Sequence, residues 1–253
     1  MRLFLAPVLA ATLLAACGGD AHDSATFATA TDEQLLRVID VARFEDAEDM
    51  LEISELFGRN EPGCPSVSTT GLVTTITGDC TSESGWTIAG RVVITNFGFD
   101  SVPARDPAQP STIEAFGLRA TRDDRLQTLD GKVELVLHGT SEGSPFDLLA
   151  AIDVTNTNLP AHTEGAIRCN DSEGCRYDGA WIGVDTVGEA EVADGLFDDD
   201  TGSLITLHGQ ETLAISLERD DQGCFPVTID GAARTVCEPA FKRTTARWSS
   251  ILR

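Results

Sequence analysis

Histidine, serine and lysine carry much of enzymatic acid–base and nucleophilic catalysis, and we expect them to form no metal site, nucleophile elbow or Ser-Lys pair in this chain. The four histidines are His22, His138, His162 and His208, and they form neither a His-Glu-x-x-His motif nor a paired metal-binding spacing. No Ser-x-x-Lys pair and no phosphate- or dinucleotide-binding glycine pattern is present. Catalytic groups can also be assembled from distant positions, so an enzyme is disfavoured rather than excluded. The sequence predicts no catalytic residue and no cofactor.

Clustered carboxylates in two loops are the best candidates for a cation site. One loop contains Asp198, Asp199 and Asp200, and the other contains Asp220 and Asp221. Hard cations such as Ca²⁺ take carboxylate oxygens of this kind, but neither loop has the alternating acids and final glutamate of an EF-hand. Both loops also lie where a hairpin turn is needed. A solvated turn is therefore the favoured interpretation, and residues 198–200 remain a weak calcium candidate.

The amino-terminal residues carry the most specific pattern in the chain. Arg2 precedes a run of fourteen apolar residues, 3–16, that ends in small residues followed by Cys17. This arrangement is typical of a secretory signal peptide, and the run is shorter than the about 20 residues that a bilayer-spanning helix needs. The run therefore predicts a cleaved signal rather than a lasting membrane span.

Residues 14–17, Leu-Ala-Ala-Cys, resemble the lipobox of bacterial lipoprotein precursors. In that family the signal is cut before the cysteine, which is acylated, so the resemblance implies a mature chain that begins at Cys17 and is held at a membrane by acyl chains. In the same family, aspartate after the cysteine is associated with inner-membrane retention, so Gly18 favours the outer membrane. The alternative is an ordinary signal peptide with a chance cysteine near its end. No functional family is indicated for the rest of the chain.

Acidity dominates the composition. The chain has 41 acidic and 18 basic residues and a formal net charge of −23, which becomes −24 when residues 1–16 and their one arginine are removed. Such a charge repels nucleic-acid phosphates, so nucleic acid is not an expected partner. Solubility accounts for an acidic surface more often than cation binding does. The mature length and a hydrophobic content of 42% suit one sizeable core.

Six cysteines remain after Cys17. An even number of cysteines in an exported chain indicates disulfides, because the compartment beyond the inner membrane is oxidising. A metal or redox site is the alternative, but no Cys-x-x-Cys motif supports it. Other pairings are possible in principle, but the cysteines fall into three local couples, which we predict as the disulfides: Cys64 with Cys80, Cys169 with Cys175, and Cys224 with Cys237.

Apolar residues recur at helical spacing from residue 31 to residue 58, before the pattern changes to strand alternation. Thr31 opens this segment with a capping box, and the pattern allows a slight break near residues 43–46. The small, polar residues before it suit a flexible tether. The predicted segments are a signal peptide (1–16), a tether (17–30), one helix packed on the β-domain (31–58) and a disulfide-linked antiparallel β-domain (59–253).

From Cys64 onward, alternating apolar and polar residues predict short antiparallel strands with turns between them. Asp130-Gly131 predicts a tight hairpin, residues 159–164 a loop and residues 244–252 a last strand. Residues 146–155 suit either a strand covered on both faces or a short helix. About twelve strands are more than a flat, twisted sheet usually carries. The predicted fold is mainly β: a large curled antiparallel sheet, barrel-like or a sandwich, with one N-terminal helix packed on it.

Large aromatic side chains are the remaining binding candidates. Trp86, Trp181, Trp248 and Tyr177 are amphipathic, and a sugar- or peptide-binding face could use them. Packing in a β core accounts for at least two of the three tryptophans.

These features favour a membrane-anchored lipoprotein of the cell envelope, most consistent with the outer membrane, that acts as a non-enzymatic binding or structural module. The ligand and any protein partner are not indicated. One alternative is a carrier or receptor for an apolar ligand inside the curled sheet, which resembles the periplasmic lipoprotein carriers at the level of fold only. A filled core would argue against it. The other alternative is a secreted hydrolase, which needs polar residues with perturbed pKa values converging in a cleft.

Overall fold

The structure is a computed structural model in which, over the described part of the chain, three short helices flank and cover a large β-sheet. No helix within the described part of the chain is long and apolar enough to cross a membrane. The described residues are 25–54, 63–97, 109–123, 125–139, 144–156, 159–170, 174–185, 187–198, 201–216, 218, 220, 223–237 and 248–252.

The helices lie near the two ends of the chain and the strands lie between them. The helices are α1 (Asp32–Ala42), α2 (Glu45–Ser54) and α3 (Trp248–Ile251). The strands are β1 (Ser66–Thr70), β2 (Val73–Thr77), β3 (Cys80–Thr81), β4 (Thr87–Thr95), β5 (Ser111–Arg122), β6 (Arg125–Leu137), β7 (Phe146–Asn156), β8 (Leu159–Asn170), β9 (Gly174–Val184), β10 (Gly188–Asp198), β11 (Thr201–His208), β12 (Glu211–Ser216), β13 (Cys224–Ile229) and β14 (Ala232–Cys237).

All these strands belong to one antiparallel sheet. Each strand pairs with its neighbour in the chain, except that β2 pairs directly with β4 and the short β3 pairs with β4 beside it. Among the described residues the path begins at β1, ends at β14 and does not close. The prediction of a mainly β fold built on a large antiparallel sheet is confirmed.

The two faces of the sheet differ because successive side chains of a strand point in opposite directions. On β9, Ala180, Ile182 and Val184 are buried, whereas Trp181 between them is exposed. The buried side chains meet the helices: α1 lies against β8, β9 and β14, and α2 lies against β5, β6 and β7. We call the side that contacts the helices the helix face and the opposite side the outer face.

The space between the helices and the helix face is filled by apolar side chains. A side chain beside a water-sized hole keeps some accessible surface, so complete burial shows that no such hole adjoins it. The side chains with no exposed surface include Phe27, Leu35, Ile39, Met50, Ile53, Ile88, Ile113, Val133, Leu204, Leu213 and Phe225. Helices and sheet therefore share one packed core.

The predicted single N-terminal helix is not confirmed, because α1 and α2 are separate helices. The break falls at Phe44, which has a φ of 60° and so cannot continue a right-handed helix. Across the break, Arg37 donates two hydrogen bonds to Asp46, at 3.1 and 2.9 Å, and both side chains are buried. The predicted start of the helix at Thr31 is confirmed. The hydroxyl of Thr31 accepts a hydrogen bond from the backbone N–H of Gln34, and the side chain of Gln34 accepts one from the backbone N–H of Thr31.

Residues 25–30 pack on the sheet, although the sequence predicts them as the end of the flexible tether. The ring of Phe27 has no exposed surface, and its backbone N–H donates to the carboxylate of Glu211 at 2.7 Å. Arg234 on β14 donates to the carbonyl oxygen of Ala30 at 3.1 Å. These contacts hold the segment in place, so the structure shortens the predicted tether by its last six residues.

Glycines bend the sheet where β4, β5 and β6 meet. Gly90 has a φ of 84°, and a Cβ atom built on it lies 2.3 Å from the carbonyl oxygen of Gly117. Gly131 has a φ of 117°, and its Cβ atom would lie 2.1 Å from the carbonyl oxygen of Ala151. The strand register shifts beside these positions, as it does at β-bulges, which increase the local bend and twist.

The predicted hairpin at Asp130-Gly131 is wrong, because β6 runs through both residues. The glycine allows the bulge against β5 described above. The aspartate accepts a hydrogen bond from the backbone N–H of Gly117 through its Oδ1 atom, at 2.7 Å. A dipeptide that is typical of a turn therefore lies at a bulge within a long strand.

Three other predicted elements are decided by the structure. Residues 159–164 are not a loop but the first half of β8, where Ala161 and Thr163 alternate onto the helix face. The segment 146–156 is a strand rather than a helix. Residues 248–251 form α3 instead of a strand, and its Trp248 and Ile251 are buried three positions apart.

The three predicted disulfides are confirmed as Cys64–Cys80, Cys169–Cys175 and Cys224–Cys237. The second and third each join residues that are register partners on adjacent strands, β8 with β9 and β13 with β14. The first ties the chain before β1 to β3. Strand pairing brings the sulfurs of the second and third disulfides together, which is why those two local pairings suggested by the sequence are correct.

Candidate binding surface

An exposed tryptophan lies near the middle of the outer face. Trp181 on β9 is 56% exposed, the largest value among the large apolar side chains that the structure describes. Trp86 and Trp248 are 2% and 3% exposed, as expected for tryptophans that pack in a core. Trp181 contributes little to that core, so it is a candidate for contact with another molecule.

Two carboxylates flank Trp181 on the neighbouring strands. Glu164 on β8 and Glu191 on β10 are its register partners. Directly opposite residues have Cβ atoms about 5 Å apart and share a face of the sheet. The indole therefore lies between two acidic side chains on the outer face.

A glycine leaves space beside the indole. Gly183 lies two positions after Trp181 on β9 and therefore on the same face. Its register partners are His162 and Glu189, and a Cβ atom built on it meets only their side chains, at 3.7 and 3.9 Å. With no side chain of its own, Gly183 exposes the strand backbone next to Trp181.

The imidazole beside this space lies between two acids. His162 Nδ1 is 3.0 Å from Asp153 Oδ1, and its Nε2 is 3.7 Å from Glu164 Oε2. Both carboxylates are mostly open to solvent. Water screens such surface contacts, so this imidazole lacks the shielding of a catalytic base in a closed site.

A shallow hollow of about 380 Å³ adjoins the tryptophan through Glu164. Its floor consists of small residues on β7 and β8, and Leu149, which is 40% exposed, lies within it. On β6, Lys132 donates to Glu134 at 2.7 Å at the edge of the hollow. The hollow and the tryptophan form one continuous surface, which we call the Trp181 surface and define by Lys132, Glu134, Leu149, Ala151, His162, Glu164, Ala166, Trp181, Gly183, Glu189 and Glu191.

A second polar cluster lies on the outer face near the other end of β6, β7 and β8. Arg168 donates two hydrogen bonds to Asp147, at 2.7 and 3.1 Å, and His138 Nε2 is 2.7 Å from the same carboxylate. The Arg168 hydrogen bonds, followed by the contact with His138, lower the pKa of Asp147 against the opposing effect of burial. A carboxylate held ionised in this way is a poor general acid, so the cluster serves as an ion pair.

The predicted lipidation and calcium positions lie largely outside the described residues. Cys17, Asp199 and Asp200 are outside them, and Asp198 is described only as the backbone at the end of β10. In the part of the chain that the structure describes, no group of three or more His, Cys, Asp or Glu side chains could hold a metal ion.

One sequence match to a catalytic motif lies in the wrong structural context. Residues 139–143 read Gly-Thr-Ser-Glu-Gly, which fits the Gly-x-Ser-x-Gly pattern of the nucleophile elbow. That elbow joins a strand to a helix. Here the segment connects β6 to the antiparallel β7, and residues 140–143 are outside the described ranges. The pattern therefore gives no support for a serine nucleophile.

Comparisons with known proteins identify no relative. The chain matches no protein-family model, no curated protein and no solved structure.

The exposure of Trp181 is not apparent from composition or from the usual motifs. The available signal is the segment 179–183, Gly-Ala-Trp-Ile-Gly, within a strand whose alternate residues are apolar. The alternation assigns Ala180 and Ile182 to the core and Trp181 to the other face. Glycine at 183 then leaves the indole without a side-chain neighbour along its own strand. Its acidic neighbours come from β8 and β10, and only the register shows them.

Proposed function

We propose that this protein is a lipid-anchored lipoprotein of the bacterial cell envelope, most consistent with the outer membrane, and that it acts without catalysis by binding a partner on the Trp181 surface. The resemblance of residues 14–17 to a lipobox supports the anchor. The three disulfides suit an oxidising compartment outside the cytoplasm. The observation that carries the binding function is the exposed indole of Trp181 beside an open hollow.

The packed core supports an outer binding surface rather than an internal ligand site. We infer that the sheet curls around the helices, because α1 contacts β8 and β9 and also β14, five strands further along the sheet. The interior of that curl holds α1 and α2, whose described core side chains are at most 1% exposed. A carrier for apolar ligands needs a cavity at this position, so the filled core argues against the carrier alternative.

The hydrolase alternative also lacks a supporting site among the described residues. The carboxylate of Asp147 is held ionised, because hydrogen bonds from Arg168, and then the contact with His138, lower its pKa. His162 lies on the open outer face with its carboxylate partners in water. His208 Nδ1 is 4.0 Å from Glu211 Oε2, and that oxygen already accepts the backbone N–H of Phe27. None of these arrangements combines a nucleophile, a base and a shielded cleft.

The anchor would hold the sheet close to the membrane. Seven residues separate Cys17 from Ala25, where the described chain begins, and the eight steps from residue 17 to residue 25 span at most about 28 Å when extended. Residues 25–30 then pack against β12 and β14. The Trp181 surface on β6–β10 is on strands away from this attachment and is therefore open to a partner.

The anchor is tested by expressing the full chain in bacteria supplied with labelled palmitate. We expect the label in the wild-type protein, fractionation with the outer membrane, and loss of both in Cys17→Ser. A protein that reaches the periplasm unlabelled and soluble would contradict the anchor.

The binding surface is tested in the same cells by a photoreactive amino acid at Leu149 in the full chain. A photoreactive residue at Val73 on β2, which is similarly exposed at 38%, is the matched control. We expect a discrete crosslinked species from position 149 that Trp181→Ala removes and that position 73 does not form. The same species from both positions, or none from position 149, would contradict binding at this surface.

A further inference from the structure

We propose that the occupant of the Trp181 surface is a basic protein segment, with a lysine or arginine side chain lying over the indole of Trp181. This inference rests on the proposed binding function and specifies its partner. The indole is exposed and has a carboxylate opposite it on each neighbouring strand, Glu164 and Glu191. Cations are attracted to the face of a tryptophan within about 6 Å of the ring, and the carboxylates add direct ion pairing.

The charges around the indole favour a cation over an anion or a neutral group. Glu189 and Asp153 add two further carboxylates on the same face. The basic side chain nearest the hollow, Lys132, is already paired with Glu134 at 2.7 Å. The mature chain carries a net charge of −24, so the long-range field also attracts a basic partner.

The shape favours an extended peptide segment. Gly183 leaves the strand backbone uncovered beside the indole, and the hollow next to it has a floor of Ala151 and Ala166. A chain lying across these small residues places one side chain over Trp181 and an apolar neighbour against Leu149. A sugar would stack on the indole equally well. However, sugar hydroxyls both donate and accept hydrogen bonds. The ionised carboxylates around the indole can only accept them, so they leave the acceptor oxygens of a sugar without donors.

The test uses the full-length lipoprotein purified in a neutral detergent, with tryptophan fluorescence as the readout. Trp86 and Trp248 are buried, so quenching by a ligand on the outer face reports on Trp181. The probe is a short peptide in which lysine or arginine alternates with alanine, and the comparison peptide has glutamate at the basic positions. We expect saturable binding of the basic peptide alone, weakened by salt as screening shortens from about 10 Å at 0.1 M to about 3 Å at 1 M.

Two variants test the named side chains, with calorimetry as the second readout because one of them removes the fluorophore. Trp181→Ala and the double variant Glu164→Gln/Glu191→Gln should each weaken binding of the basic peptide about tenfold. The matched control is Glu83→Gln/Asp123→Asn, which removes the same charge from the turns before β4 and between β5 and β6, at residues outside the Trp181 surface. This control should bind like the wild type.

Equal losses in the control and in the Glu164/Glu191 variant would show a non-specific charge effect and overturn the inference. Binding of a neutral oligosaccharide such as maltoheptaose, lost in Trp181→Ala but kept in the Glu164/Glu191 variant, would overturn it as well. If crosslinking from position 149 succeeds while the basic peptide does not bind, the cationic partner is wrong and the proposed function stands. If crosslinking from position 149 also fails, both the basic partner and the proposed binding at the Trp181 surface are wrong.

Discussion

At the scale of single residues, the ion pair between Asp147 and Arg168 makes a pH-dependent contribution to stability. The pKa of Asp147 is lowered mainly by the Arg168 hydrogen bonds. A lowered carboxyl pKa in the folded state stabilises the protein above the unfolded pKa, about 3.9, and this contribution disappears as the pH falls through the folded value. The stabilisation is therefore present at neutral pH and lost in acid.

Arg168→Gln should reduce the free energy of unfolding by up to about 1 kcal/mol at pH 7, because Arg168 is more than half exposed and water screens the pair. The difference from the wild type should shrink as the pH approaches 3. Urea unfolding at several pH values measures both. The control is Arg176→Gln, at the register partner of Arg168. Any change that it makes in the free energy of unfolding should be the same at neutral and acidic pH. A pH-independent loss in Arg168→Gln would contradict the account.

The residue scale also shows what a sequence can predict about the candidate surface. The alternation along β9 distinguishes Trp181 from its buried neighbours, so its exposure can be predicted once the strand is recognised. The pairing of Trp181 with Glu164 and Glu191 cannot be predicted in this way. The register across β8, β9 and β10 depends on a bulge after Gly165 and on contacts between residues far apart in the chain.

At the scale of elements, the glycines at the bulges are required to different degrees. Gly131→Ala should destabilise the protein by about 3 kcal/mol or more, because a positive φ costs about 1–2 kcal/mol and the new methyl group meets the carbonyl of Ala151 at 2.1 Å. Gly117→Ala is the matched control: its φ of 54° brings the first cost, but no atom lies within 4 Å of the new methyl group. Urea unfolding compares the two, and equal losses would show that the close approach in β6 has no energetic consequence.

The junction of α1 and α2 depends on the buried pair of Arg37 and Asp46. Asp46→Ala should reduce the free energy of unfolding by about 3–5 kcal/mol, because it leaves the guanidinium buried without its partner. The double variant Arg37→Met/Asp46→Leu should recover most of that loss, since no charge then remains buried. Chemical denaturation tests this cycle. A double variant that is as unstable as Asp46→Ala would show that the pair itself, rather than the unpaired charge, determines the stability.

Element boundaries show why local patterns are not sufficient here. The capping box at Thr31 depends on residues three apart, and the sequence predicts it correctly. The local pattern allows a slight break near residues 43–46, and the observed break falls there, at Phe44. That the break separates two helices depends on how they reach different strands of the sheet. Asp130-Gly131 is a good turn sequence, yet it continues a strand because β5 and β7 pair with both of its sides.

At the scale of the whole molecule, the three disulfides hold the sheet at three separate places. In the chain-entropy description, the stabilisation grows with the length of the loop that the bond closes. The sequence separation is 16 for Cys64–Cys80 and 6 for Cys169–Cys175. Cys64→Ala/Cys80→Ala should therefore cost about 0.9 kcal/mol more than Cys169→Ala/Cys175→Ala. Denaturant unfolding of the two double variants measures this, and the reverse order would contradict a loop-entropy origin.

The sequence contains enough information for the class of fold and for the cysteine pairing. Strand alternation, turn residues and local cysteine couples are short-range features, and they lead to a large antiparallel sheet with three disulfides. The division of the helix and the packing of residues 25–30 depend on the finished sheet. Phe27 is an example. A single phenylalanine in a segment of small, polar residues does not predict burial, and the position of Phe27 depends on β12, where Glu211 accepts its backbone N–H.

We propose that the interior is filled and that binding takes place on the outer face. Native mass spectrometry of the full-length protein, released from membranes and exchanged into fresh detergent, tests this proposal when the sample is also extracted with organic solvent. We expect the mass of residues 17–253 with acyl groups on Cys17 and no further apolar molecule. A lipid or other apolar molecule retained at one per protein, and equally retained by Trp181→Ala, would contradict it and establish a ligand site inside the sheet.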